Sequence, residues 1–83
     1  MKITVRYFAS IREAIGTGLA PVQTTAATLG VLRAELTARR GPHADSLARG
    51  KAVRMALNQT LSDESAALAD GAEVAFFPPV TGG

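Results

Sequence analysis

Apolar and polar residues alternate along residues 2–8, where Ile3, Val5 and Tyr7 share one face. A period of two is typical of a strand that packs one face against a core and exposes the other. The pattern therefore predicts a half-buried first strand. Its opposite face carries Lys2, Thr4, Arg6 and Phe8.

The alternation returns in later segments. Residues 53–58 and 73–77 are predicted to be strands. A weaker strand is predicted at residues 19–24, where Pro21 favours an edge position because proline donates no hydrogen bond to a neighbouring strand. Pro78-Pro79 removes two further donors, so pairing of the last strand should end there.

Leucines at helical spacing predict one main helix. Leu29, Leu32 and Leu36 recur at i, i+3 and i+7 behind Thr28, which can cap the helix. Gly41-Pro42 should terminate it. The charged residues expected on the opposite side are Arg33, Glu35, Arg39 and Arg40.

A shorter helix is predicted at 10–15, because Ser10 and Glu13 have the spacing of a capping box and Gly16 is a stop signal. His43 is interpreted as an ordinary surface residue in a loop, and the conformation of 43–50 stays open. The order of elements predicts a single α+β domain over residues 1–83, with one main helix packed on a mixed sheet.

Composition narrows the function. The chain has 83 residues and a net charge of +2. It contains no cysteine and one histidine, and these counts exclude thiolate metal sites, His clusters and Cys or Ser/His nucleophilic catalysis. The charges form no basic patch, so nucleic-acid binding is not expected. The chain enters its first strand without a signal peptide and contains no apolar run of about 20 residues, so no membrane partner and a cytoplasmic location are expected.

Strand alternation predicts an apolar patch away from the helix. Phe8 lies on the polar face of the first strand, and Phe77 shares a face with Glu73 and Ala75 in the last. Both rings should be exposed in the isolated chain. Exposed aromatic residues near a mobile chain end are typical of a protein interface.

The chain end itself is the candidate reactive group. Residues 78–83 are expected to form a flexible tail in which Val80 and Thr81 precede Gly82 and Gly83. Glycine has no Cβ, so such an end can pass through a channel too narrow for a side chain. We expect the Gly83 carboxylate to be delivered into another protein's active site.

A family resemblance agrees with this interpretation. Residues 70–83, DGAEVAFFPPVTGG, closely resemble the C-terminus of the MoaD family of sulfur carriers, the small subunits of molybdopterin synthase. Residues 5–13, 28–32 and 56–59 resemble the family's first strand and turn, helix start and central strand. The resemblance implies a ubiquitin-like β-grasp fold.

The resemblance also implies a chemistry centred on Gly83. In the family, a ubiquitin-activating-type adenylyltransferase uses ATP to convert the terminal carboxylate to an acyl adenylate, and sulfur from a persulfide donor then gives a thiocarboxylate. The chain would bind no cofactor itself. The tail residues Pro78, Pro79, Val80, Thr81 and Gly82 would carry this group.

The same resemblance implies a partner. The loaded tail would enter the large subunit of molybdopterin synthase, within a heterotetramer, and donate sulfur to cyclic pyranopterin monophosphate. This chain would then be a sulfur-donating subunit and not an enzyme on its own. Leu61 matches a family position that packs against the large subunit, so Phe8, Leu61 and Phe77 are the predicted partner interface.

Three alternatives stay open at the level of sequence. A thiamine-pathway sulfur carrier would share the fold and the activated Gly83. A ubiquitin-like protein modifier would form an isopeptide through Gly83 with target lysines. A β-grasp interaction module with an inert tail would keep an unmodified carboxylate.

Overall fold

The computed structural model describes residues 1–39, 41–48 and 51–79. In these residues five strands form one mixed sheet in the order β2-β1-β5-β3-β4. The strands are β1 (Lys2–Tyr7), β2 (Leu19–Gln23), β3 (Arg54–Leu57), β4 (Thr60–Ser62) and β5 (Glu73–Phe77). The helices are α1 (Ala9–Ile15), α2 (Leu29–Thr37) and α3 (Pro42–Leu47).

β5 occupies the centre of the sheet. It pairs parallel with β1 and antiparallel with β3, while β2 and β4 pair antiparallel at the two edges. The predicted α+β, β-grasp architecture with a mixed sheet is confirmed, as are the edge position of β2 and the end of β5 before Pro78. The three-residue strand β4 is too short to show a period, so the alternation does not predict it.

The core lies between the sheet and the helices. The inward-facing strand residues and the three predicted leucines of α2 are at most 5% exposed. The strand contributors are Ile3, Val5, Tyr7, Val22, Met55, Val74 and Phe76. The helix contributors are Ile11, Leu29, Leu32, Leu36 and Leu47. One face of the sheet is therefore covered by helices.

α1 begins one residue earlier than predicted and lacks the predicted capping box. Phe8 is its N-cap residue, in extended conformation, and no side chain caps the helix, so the assignment of Ser10 and Glu13 is wrong. The reason is that the chain turns at Ala9, with a left-handed φ of 52°, directly after β1. Gly16 ends the helix as predicted, with φ 91°.

Arg33 on α2 is buried, contrary to the expectation that it faces solvent. The side chain is 7% exposed. Its Nε donates to the Leu47 carbonyl at 2.7 Å. Its Nη2 donates to the carbonyls of Ala48 at 2.8 Å and Lys51 at 3.1 Å. Its Nη1 also lies 3.4 Å from Glu64 Oε2. Because three of these contacts are to carbonyls at the end of α3 and just after it, the guanidinium holds that segment in place.

The predicted cap of α2 is confirmed, because the Thr28 side chain accepts a hydrogen bond from the Val31 amide at 3.3 Å. The helix ends at Thr37, before Gly41-Pro42. That dipeptide instead begins α3, with proline in its first turn, where the missing amide is not needed. Arg40 lies outside the described residues.

His43 lies in α3, so its placement in a loop is wrong. It is half-buried, with its ring edge-on to Tyr7 at a centroid distance of 6.0 Å. Burial, and to a smaller extent the Arg39 charge, lower the pKa of His43. Burial raises the pKa of Tyr7, whose hydroxyl has no hydrogen-bond partner among the described residues.

No helix in the described part of the chain is long and apolar enough to cross a membrane.

Candidate functional site

The face of the sheet turned away from the helices is called the open face. Cross-strand pairing aligns Arg6, Ala75, Ala56 and Leu61 in one row across β1, β5, β3 and β4. Directly paired residues point to the same side of a sheet. Because the neighbouring row of Tyr7, Phe76 and Met55 lies in the core, this row lies on the open face.

A second row brings the two predicted aromatic residues to the same face. Phe77 pairs with Arg54 of β3. Phe8 continues the extended backbone of β1 for one residue, and its amide donates to the Phe76 carbonyl at 3.1 Å. The prediction that Phe8 and Phe77 point away from the core is therefore confirmed.

The two rings differ in exposure. Phe8 is 43% exposed. Phe77 is less exposed than Phe8 and is half-buried in the isolated chain, contrary to expectation, because it lies in a groove beside Phe8 and the prolines that follow it. A ring that keeps part of its surface in water retains apolar area for a partner to bury.

The groove runs along β5 towards the tail and has a volume of about 720 Å³. Its lining is mainly apolar. The small side chain of Ala75 lies at its base, and two charged residues lie where β5 begins. The lining residues are Arg6, Phe8, Ala9, Gln59, Glu73, Ala75, Phe77, Pro78 and Pro79. A concave apolar surface of this size can accept a side chain or a segment of another protein.

The polar end of the groove is fixed by local hydrogen bonds. Asn58 and Gln59 both adopt positive φ, which makes the tight turn between β3 and β4. The Asn58 side chain accepts from the Glu73 amide at 2.9 Å, and the Asn58 amide donates to the Glu73 carbonyl at 2.8 Å. The Glu73 carboxylate lies 3.4 Å from Arg6 Nε. These contacts place Gln59, Glu73 and Arg6 at one edge of the groove.

Leu61 is on the open face but does not line the groove. It is 65% exposed on the edge strand β4 and borders a neighbouring depression of about 510 Å³ that Arg54 also lines. The structure thus brings Phe8 and Phe77 together and places Leu61 beyond β3 on the same side. The three residues can all face one partner, but that role stays a prediction.

The tail begins at the end of the groove. Pro78 and Pro79 are half-buried and line it. Val80, Thr81, Gly82 and Gly83 lie outside the described residues, so their predicted roles stay predictions. Because β5 is fixed on both sides by neighbouring strands, the point from which the tail starts is fixed as well.

Sequence reasoning did not identify Arg6, Arg54, Gln59 and Glu73 as residues of the site. Strand alternation placed Arg6 and Glu73 on the open face without giving them a role, and the same rule applied to Met55 would have placed Arg54 there. Gln59 gave no such signal, because its position depends on the turn. The described residues contain no group of three or more His, Asp or Glu that could hold a metal ion.

Comparison with known proteins decides the family. Residues 5–83 match the ThiS family. The chain belongs to the ThiS family. The match to this family, together with two relatives similar over nearly the full length, confirms the family resemblance of residues 70–83.

Two relatives of this ThiS-family chain are called molybdopterin synthase sulfur carrier subunit. The protein of Escherichia coli (strain K12) is 44% identical over 81 residues, covering 98% of this chain and 99% of the relative. The protein of Haemophilus influenzae is 40% identical with the same coverage. Among solved structures, a complex of subunits 1 and 2 of the molybdopterin-converting factor from Helicobacter pylori contains a chain with 30% identity, full coverage of both chains and a TM-score of 0.70.

Proposed function

We propose that this chain is the sulfur carrier subunit of a molybdopterin synthase. The observation that carries the proposal is the near full-length similarity to two carrier subunits, at 44% and 40% identity. The fold supports it, because the central strand β5 continues from an apolar groove into a tail that ends in Gly82 and Gly83.

Activation takes place at the Gly83 carboxylate. A free carboxylate is a poor electrophile, so a ubiquitin-activating-type adenylyltransferase first joins it to AMP, using ATP. The outer sulfur of a persulfide donor then attacks the acyl carbon and displaces AMP to give an acyl disulfide. A second thiol on the donor cleaves the S–S bond, which leaves the thiocarboxylate on Gly83 and a disulfide on the donor. A chain without cysteine has no side-chain thiol for this purpose, which supports sulfur storage at the chain end. ATP is consumed by the activating partner, and this chain binds no cofactor.

Delivery depends on the large synthase subunit. The groove and Leu61 dock against it, and the tail enters its active site to donate sulfur to cyclic pyranopterin monophosphate. The complex from Helicobacter pylori supports a pairing of this kind, since it joins subunits 1 and 2 of the corresponding factor. The catalytic groups that position the substrate belong to the large subunit, so this chain is a carrier and not an enzyme on its own.

The intact mass of native protein tests the proposal. Protein from cells that make molybdenum cofactor should show a fraction with one oxygen replaced by sulfur. Deletion of Gly83, or addition of one residue after it, should abolish sulfur transfer and leave the melting temperature unchanged, because these residues follow the last strand. Unchanged sulfur transfer by the deletion variant, or conjugates to target lysines without thiocarboxylate, would contradict the carrier function.

A further inference from the structure

Arg54 lies between two of the predicted apolar contacts of the open face. It pairs directly with Phe77 of β5. Two residues along β3, Ala56 pairs with Leu61, so Arg54 and Leu61 are diagonal neighbours across the strand pair. Such neighbours have Cα atoms about 7–8 Å apart. Arg54 and Leu61 accordingly line the same depression.

Arg54 forms no ion pair within the described residues. Arg6, on the same face, has Glu73 at 3.4 Å, whereas no carboxylate lies within 4.0 Å of the Arg54 guanidinium. Asp63 and Glu64 border the depression. Glu64 is paired with Arg33. Asp63 follows Ser62, the partner of Met55, and is therefore the nearest carboxylate in the register, but its Oδ1 accepts from the Ser65 amide and hydroxyl and it forms no ion pair with Arg54.

A partner that covers both Phe77 and Leu61 must also cover Arg54. Removal of a guanidinium from water is unfavourable unless hydrogen-bond acceptors replace the lost hydration. A carboxylate suits this role, because its two oxygens can accept two parallel N–H bonds from the planar guanidinium.

We propose that the large synthase subunit presents a carboxylate to Arg54, in a buried ion pair between the contacts of Phe77 and Leu61. The proposal rests on the proposed function and adds the chemistry of the partner surface. Arg54 is then a specificity-determining residue, since a large subunit without this carboxylate would leave the guanidinium buried and unpaired.

Arg54→Met tests the ion pair, because methionine keeps an unbranched apolar stem and removes the charge. The experiment measures binding of the wild-type chain and the variant to the large subunit of the same organism by biolayer interferometry. Arg54→Met should dissociate at least tenfold faster, since it leaves the partner's carboxylate buried without a donor, and Arg54→Lys should fall between the two. The matched control is Arg39→Met, an exposed arginine that follows α2 on the helical side, which should bind like wild type.

The result that overturns the proposal is an Arg54→Met variant that binds as tightly as wild type or more tightly, as expected if the guanidinium met no acceptor. A change confined to the association rate and its salt dependence would also overturn it, because that is the behaviour of an exposed rim charge. Failure of the wild-type chain itself to bind the large subunit would contradict the proposed function instead. Arg54 is exposed, so the melting temperature of the variant should stay close to that of wild type and exclude misfolding as the cause.

Discussion

Phe77→Ala separates the role of a side chain in folding from its role in binding, because its neighbour Phe76 provides a matched control. The two rings are adjacent on β5 and point to opposite faces of the sheet. Phe76 is 0% exposed in the core, whereas Phe77 is half-buried in the groove of the open face. The same substitution at the two positions should therefore affect different properties.

The expected magnitudes follow from burial. Full burial of a large apolar side chain stabilises a protein by roughly 1.5–3 kcal/mol, so removing half-buried Phe77 should destabilise the free chain by about 1 kcal/mol, or roughly 4–8 °C in melting temperature. Loss of a buried core ring costs about 3–5 kcal/mol. A domain of this length has a total stability of roughly 4–12 kcal/mol, so Phe76→Ala should remove much of it.

For affinity to the large subunit, Phe77→Ala should be the more damaging of the two substitutions. If Phe77 is an anchor at the centre of the interface, its truncation should weaken binding to the large subunit by about 2 kcal/mol or more, which is roughly 30-fold in Kd. Thermal melting and calorimetric titration of the same Phe77→Ala preparation measure both quantities. A loss of stability comparable to that of Phe76→Ala, with unchanged affinity, would refute the assignment of Phe77 to the partner surface.

Three further predictions concern the tail, the buried guanidinium and pH. Gly82→Val should slow both adenylation and sulfur transfer, because a β-branched side chain narrows the conformations of the tail and its fit in a channel; wild-type rates in both assays would contradict this. Arg33→Met should lower the free energy of unfolding in urea by about 3–5 kcal/mol, because it removes the donor that the carbonyls of Leu47, Ala48 and Lys51 share, whereas exposed Arg39→Met should be close to neutral. The pKa of His43 is lowered in the folded chain, so the unfolded chain takes up the proton first as the pH falls. Wild type should therefore lose melting temperature relative to His43→Asn below about pH 6.5. Parallel pH profiles of the two proteins would show that folding does not lower the pKa of His43.

The alternation predicted β1, β3 and β5 together with their faces, because a period of two assigns every residue of a half-buried strand to one side, whereas β4 is too short to show this period. The outward position of Phe8 and Phe77 followed from this rule alone. Pro21 and Pro78 likewise marked an edge and an end, since a missing amide donor has the same consequence in any sheet.

Helix patterns were less informative about long polar side chains. Arg33 lies four residues after Leu29, so the helical period places it beside the leucines, and only its charge favoured an exposed position. Its guanidinium is buried because it donates to carbonyls 14 to 18 residues further along the chain. No local pattern records such acceptors. α3 was missed for a related reason: in its six residues only Leu47 is buried, so no apolar period exists to be detected.

The central position of β5 has a mechanical consequence for the tail. Force applied to the tail acts along the axis of a strand that is hydrogen-bonded to β1 on one side and to β3 on the other. Hydrogen bonds between strands run across that axis, so the load is shared by both ladders and they must rupture together in shear. An edge strand such as β4 could instead be peeled away one bond at a time. A partner can therefore pull on the tail during insertion and release without unravelling the domain that carries it.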